Sequence, residues 1–177
     1  LSSEAENFVR LQSLKTQQKI AYNIRKLECG VMDKELFKKL ENSEIWELRT
    51  LFNGICYRLF AFWDTDKRTL VVATHGIIKK TSKIPKNKAM TKISFTPSDK
   101  LIDDAWGKIG TPARDAMEEQ LKEEVQAYFV GEAIKNARLT QHLTQEELGE
   151  RIGVKRSQIC KLENGNCSIT LSTMRRV

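Results

Sequence analysis

The chain has 177 residues, with 30 Lys and Arg against 23 Asp and Glu, a formal net charge of +7 and 40% hydrophobic residues. That length admits one large domain or two small ones, and no apolar run approaches the roughly 20 residues of a membrane span or reads as a secretory signal. Cys29, Cys56, Cys160 and Cys167 form no C-x-x-C pair and are joined only by His75 and His142, so reduced thiols in the cytoplasm are expected, with no metal and no cofactor.

Charge is spread unevenly. Residues 1–89 hold 17 Lys and Arg against 10 Asp and Glu, residues 91–132 hold 5 against 9, and residues 133–177 hold 8 against 4. A basic half suggests a polyanion partner, and an acidic segment between two basic ones is suited to covering a basic surface.

In chain order, Phe8, Leu11, Leu14, Ile20, Ile24 and Leu27 recur at helical spacing and predict one or two amphipathic helices ending at Gly30. Asp33 predicts the cap of a further short helix holding Leu36, Phe37 and Leu40. Residues 45–52 and 55–63 then alternate and are rich in aromatic and β-branched types, with the hairpin signal Asn53-Gly54 between them. A third strand over residues 70–74 follows the turn Asp64-Thr65-Asp66. Helices followed by an antiparallel meander predict an α+β domain.

The hairpin register carries a functional hint. A two-residue turn at Asn53-Gly54 pairs positions whose numbers sum to 107, which sets Arg49 opposite Arg58. Like charges directly opposite destabilise a sheet, and a phosphate between the guanidiniums would relieve them. Glu47, two residues along on the same face, offers the other solution, a local network that neutralises the pair. Beyond the third strand, residues 75–85 add Lys79, Lys80 and Lys83, which with the arginines would make one basic surface at an end of the sheet.

Ile45-Trp46-Glu47-Leu48-Arg49, Tyr57-Arg58-Leu59-Phe60, His75-Gly76, Lys79-Lys80-Thr81 and Pro85 are similar to the HigB branch of the RelE toxin superfamily, over most of residues 1–86. The resemblance implies a small α+β ribonuclease that cleaves messenger RNA on the ribosome without metal, the 2′-hydroxyl attacking the adjacent phosphate. Such a reaction needs a proton acceptor, a donor to the leaving oxygen and cations for the developing charge. By resemblance, Arg58 foremost, with Arg49, Lys79 and Lys80, forms the cationic clamp. Glu47 or His75 is the base, and Lys83 joins Arg49 and Lys79 on the RNA. The chain departs from the family before Leu1, where an edge strand is usual, and after Pro85, where a helix is usual. Met90 reads as the start of a second gene product joined to the first.

Further along, Gly110-Thr111-Pro112 marks a helix start, with Thr111 as cap. Met117, Leu121, Val125 and Tyr128 give that helix an apolar stripe suited to core or dimer packing. Its other faces carry Glu118, Glu119, Glu123 and Glu124, suited to binding a basic partner. Residues 143–165, LTQEELGERIGVKRSQICKLENG, predict two short helices joined by a turn at Gly153. Thr144 and Glu147 have capping-box spacing, and Leu148, Ile152, Ile159 and Leu162 share one face. Lys155, Arg156, Ser157, Gln158 and Lys161 crowd the start and outer face of the second helix, a composition suited to a DNA major groove.

With Ala137-Arg138 and Asn164-Gly165, these residues resemble the helix-turn-helix domain of Xre or Cro type repressors, from about residue 130 onward. The resemblance makes Arg138–Glu163 a structural ion pair and gives Gln145 a phosphate. Arg156, Ser157 and Lys161 would read base edges, with Lys155, Gln158 and Asn164 completing the DNA-facing set. Lys155 stands where such domains have a small capping residue.

Taken in order, the two resemblances match a bacterial HigB–HigA type II toxin–antitoxin pair. Residues 1–89 form the α+β RelE-like toxin domain, 90–130 an acidic toxin-binding segment, and 131–177 an all-α helix-turn-helix domain. Expected partners are messenger RNA on the ribosome, operator DNA, the contact between the halves, and a second copy through the antitoxin half. The competing reading is a helix-turn-helix transcriptional regulator whose N-terminal domain is a non-catalytic sensor or partner-binding module.

Overall fold

The structure, a computed structural model, describes residues 1–64, 69–72, 77–79 and 96–165. It divides into two compact units, Leu1–Met117 and Glu118–Val177.

The first unit opens with α1 (Ser3–Arg10), started by Ser2, whose hydroxyl accepts the Ala5 N–H at 3.1 Å. Ser13 caps α2 (Leu14–Glu28) in the same way. Ala5, Val9, Ile20 and Ile24 are buried on the inner faces of the two helices. Asp33 starts a turn and not the short helix its spacing predicts. Its carboxylate accepts the Glu35 N–H at 2.6 Å, and the chain then enters β1 (Phe37–Lys39), pairing Phe37 with Leu48. Tertiary packing decides this segment: the sheet buries Phe37 and stacks its ring on Trp46 at 4.8 Å.

Strands β2 (Trp46–Phe52), β3 (Ile55–Asp64), β4 (Thr69–Val72) and β5 (Ile77–Lys79) complete an antiparallel sheet. Its order is β1-β2-β3-β4, with β5 also pairing with β3. Asn53 and Gly54 adopt φ of 49° and 74°, the two positive values that a two-residue hairpin turn needs and that glycine takes without strain. Arg49 therefore faces Arg58, as the turn predicts. The lysine run expected beyond the sheet begins inside it, with Lys79 opposite Cys56.

Leu48, Tyr57, Leu59 and Ala61 share a core with α1 and α2. Asn23 of α2 donates to Thr50 Oγ1 at 2.9 Å and fastens the helix to β2. Strand alternation then sends Glu47, Arg49 and Arg58 to the opposite face of the sheet.

Helix α3 (Ser98–Trp106) belongs to this unit as well. Leu101, Ile102 and Ala105 are buried, and Leu101 shares the core with Val9 and Ile24. The Trp106 indole donates to the Gln18 carbonyl at 3.0 Å, and the Gln18 amide donates to the Ala105 carbonyl at 3.0 Å. Arg10 pairs with Asp104, and the Leu1 amino group donates to the Thr96 carbonyl at 2.6 Å. Residues 96–117 of the acidic segment thus fold with the basic half, while residues from Glu118 onward fold with the second unit.

Helix α4 (Pro112–Thr140) begins after Thr111, whose hydroxyl donates back to the Lys108 carbonyl at 2.8 Å. The second unit adds α5 (Gln145–Ile152) and α6 (Arg156–Glu163). Ile134, Leu148, Ile152, Ile159 and Leu162 form its core, and Thr144 with Glu147 makes the reciprocal capping box. A Cβ on Gly149 would lie 2.6 Å from the Val154 carbonyl oxygen, so the chain after α5 can close on that helix only at glycine. Among the described residues, no helix is long and apolar enough to cross a membrane.

Leu101→Ala should destabilise the first unit by about 2–4 kcal/mol, the usual cost of emptying a buried leucine site. Hydrogen exchange would show it as faster exchange throughout α1 and α2. Unchanged protection of those helices would remove α3 from their core.

Candidate nucleic-acid interfaces

On the outer face of the sheet, one carboxylate holds two guanidiniums. Glu47 is 1% exposed. It accepts from Arg49 Nε at 2.7 Å through one oxygen and from Arg58 Nη1 through the other. Burial by itself raises the Glu47 pKa, but the hydrogen bonds and charges of Arg58 and Arg49 outweigh it, so the carboxyl sits below its ordinary range. A carboxylate held in this way is a poor proton acceptor and a good positioning group. The arginines keep partial access to solvent, 28% for Arg49 and 16% for Arg58. Among the described residues nothing accepts from the buried Nε of Arg58. The pair can therefore offer a phosphate a fixed, partly satisfied cationic surface.

The other residues expected on this surface lie mostly outside the described residues. Lys79 lies on β5, one strand from Arg58, whose register partner is Ile77. His75, Lys80 and Lys83 lie outside the described residues, as does the Ala89–Met90 junction. Among the described residues, no group of three or more His, Cys, Asp or Glu gathers into a possible metal site. Asn23 supports the cluster from behind, and sequence reading missed it. Its amide reaches both Thr50 Oγ1 and the Arg49 carbonyl, and the only signal was a polar residue on the buried side of α2.

In the second unit, Glu163 is 3% exposed and is gripped by Arg138, with Nε at 2.5 Å from one oxygen and Nη2 at 3.0 Å from the other. Arg138 Nη1 also donates to the Leu143 carbonyl at 2.7 Å, tying α4 to the turn before α5. Gln145, expected on a phosphate, donates its amide to Glu163 at 2.8 Å, and one carboxylate thereby links α4, α5 and α6. Burial raises the Glu163 pKa, yet the hydrogen bonds of Arg138 and Gln145 bring it below the ordinary value. Lys155, Arg156, Ser157, Gln158 and Lys161 are all exposed at the start and along one side of α6. Asn164 ends the helix, with its amide near Cys160 Sγ at 3.6 Å.

Because the folded pKa of Glu47 lies below its unfolded one, its contribution is complete above the ordinary glutamate range. It is lost as pH falls through the lowered value. Glu47→Gln should cost about 2–3 kcal/mol at neutral pH, less than a fully enclosed pair because both guanidiniums keep some water. It should also flatten the acid limb of the thermal midpoint plotted against pH. An acid limb identical to the parent's would mean that Glu47 carries no net ionic contribution.

Both regions match known family models. Residues 7–92 match the family model described as phage-derived protein Gp49-like (DUF891). Residues 134–177 match the model described as helix-turn-helix. No curated protein and no solved structure matches the chain. The matches are those of a Gp49-like domain (RelE-like toxin family) followed by an Xre-type helix-turn-helix domain, a combination consistent with a toxin–antitoxin fusion.

Proposed function

We propose that the chain joins a ribosome-dependent messenger RNA endoribonuclease of the HigB kind to a HigA-like antitoxin. In this reading the antitoxin half neutralises the nuclease and represses its own operon. The observation that carries it is the Arg49–Glu47–Arg58 cluster, on the face of the sheet away from α1 and α2, in a sheet that lies within the Gp49-like match.

Arg58 and Arg49 stabilise the charge that grows on the scissile phosphate when the 2′-hydroxyl attacks it. The parts of the Arg49 and Arg58 guanidiniums that stay open to solvent are what a phosphate oxygen would meet. Glu47 holds the guanidiniums in place, which leaves His75 as the remaining base from the original pair. Neutralisation works through α3, whose Leu101 and Ile102 cover α1 and α2 and not the arginine face. In the second unit, Arg156, Ser157 and Lys161 meet base edges of the operator, and Lys155 meets its backbone.

One observation favours a regulator without nuclease activity: Glu47 already bonds and neutralises part of both arginines, as a purely structural network would. Expression in bacteria separates the two readings. Residues 1–89 should arrest growth and cut translated messages, and residues 90–177 supplied in trans should relieve the arrest. Arg58→Ala should lower cleavage by roughly 10²–10³-fold, as loss of a transition-state donor does. Intact messages and unimpeded growth from a fragment that circular dichroism shows to be folded would leave the regulator reading in place.

A further inference from the structure

The first turn of α6 is closed from an uncommon side. Its N-cap residue, Lys155, has the extended backbone of a cap, with φ −71° and ψ 147°. An ammonium group has donors only, so Lys155 cannot accept from the free N–H groups of the turn as a serine or threonine would. Gln158, three residues on, folds back instead, and its Oε1 accepts the Lys155 N–H at 3.3 Å. That is the reciprocal half of a capping box without the usual first half. Ile159 and Leu162 are buried in the core and fix the rest of the helix, while residues 155–158 at its start are exposed, and this bond closes that exposed turn.

The bond also limits what Gln158 can read. A glutamine recognises adenine by using both ends of its amide, the oxygen on N6 and the nitrogen on N7. Here the oxygen is turned inward, toward the helix's own backbone. Arg156, Ser157 and Lys161 are exposed and carry no such internal bond among the described residues.

We propose that Gln158 is a positioning residue that closes the recognition helix in place of residue 155, and that base selectivity rests on Arg156, Ser157 and Lys161. The selectivity half rests on the DNA-binding reading above; the closure half does not.

The test uses the full chain, selection from a randomised pool of DNA duplexes, and hydrogen exchange of the α6 first-turn amides. Gln158→Ala should speed that exchange and weaken every selected duplex alike, by roughly fivefold, the equivalent of a lost cap. The preferred bases should not change. In a Lys155→Ser background, where a hydroxyl caps the turn, the same substitution should cost less than about twofold, the non-additivity that marks a shared role. A changed base preference at any position would overturn the proposal, as would equal losses in both backgrounds. Failure to select any duplex would refute the DNA reading, while the exchange rates would still decide whether Gln158 closes the helix.

Discussion

Two guanidiniums face each other across β2 and β3 because Asn53 and Gly54 close the hairpin with no spare residue. A slip of one position would carry Glu47, Arg49 and Arg58 into the helical core and turn Leu48 and Leu59 out of it. Burial of those leucines therefore holds the register, and the polar face follows from it. Once the arginines are opposed, an anion between them becomes necessary. Glu47 supplies it at a depth where a lone carboxylate would be strongly unfavourable. The three side chains make sense only together, and the turn is what brings them together.

Helix α3 changes how the acidic middle of the chain is to be understood. Its buried residues, Leu101, Ile102 and Ala105, are what bind it to α1 and α2. The carboxylates do local work around that seam, with Asp104 on Arg10 and Asp103 on Arg114. The Arg10–Asp104 pair is exposed, and pairs of that kind contribute little in water. Apolar burial holds the helix. An acidic helix docked on this side leaves the arginine face of the sheet uncovered by α3. Inhibition through α3 would then act on the shape of the unit or its access to a large partner, not by plugging the site.

Much of this was legible in the sequence because local rules and tertiary packing agree there. Asn53-Gly54 gave the register, Thr144 with Glu147 gave the start of α5, and Leu148, Ile152, Ile159 and Leu162 gave the core of the second unit. Where they disagree, the spacing misled. Leu36, Phe37 and Leu40 fit a helix, but a neighbouring strand and the Trp46 ring took Phe37 into the sheet. A contact such as that of the Gln145 amide with Glu163, 18 residues away, is likewise one that nothing local reveals. Partners distant in sequence are set by the fold, and composition carries no trace of them.

The two units use the same device, a buried glutamate gripping arginine, and the differences between the two instances bear on function. Arg138 meets Glu163 through two parallel bonds and spends its third nitrogen on the Leu143 carbonyl. Its side chain is 10% exposed and its donors are turned inward, so it has little left to offer a ligand. Arg58 gives Glu47 one nitrogen, and its buried Nε finds no acceptor among the described residues. Arg49 gives Nε and remains more than a quarter exposed. A closed ion pair stabilises a fold. An open one, with a carboxylate holding cations whose guanidiniums stay partly exposed, is built differently, and that asymmetry separates the structural pair from the candidate site.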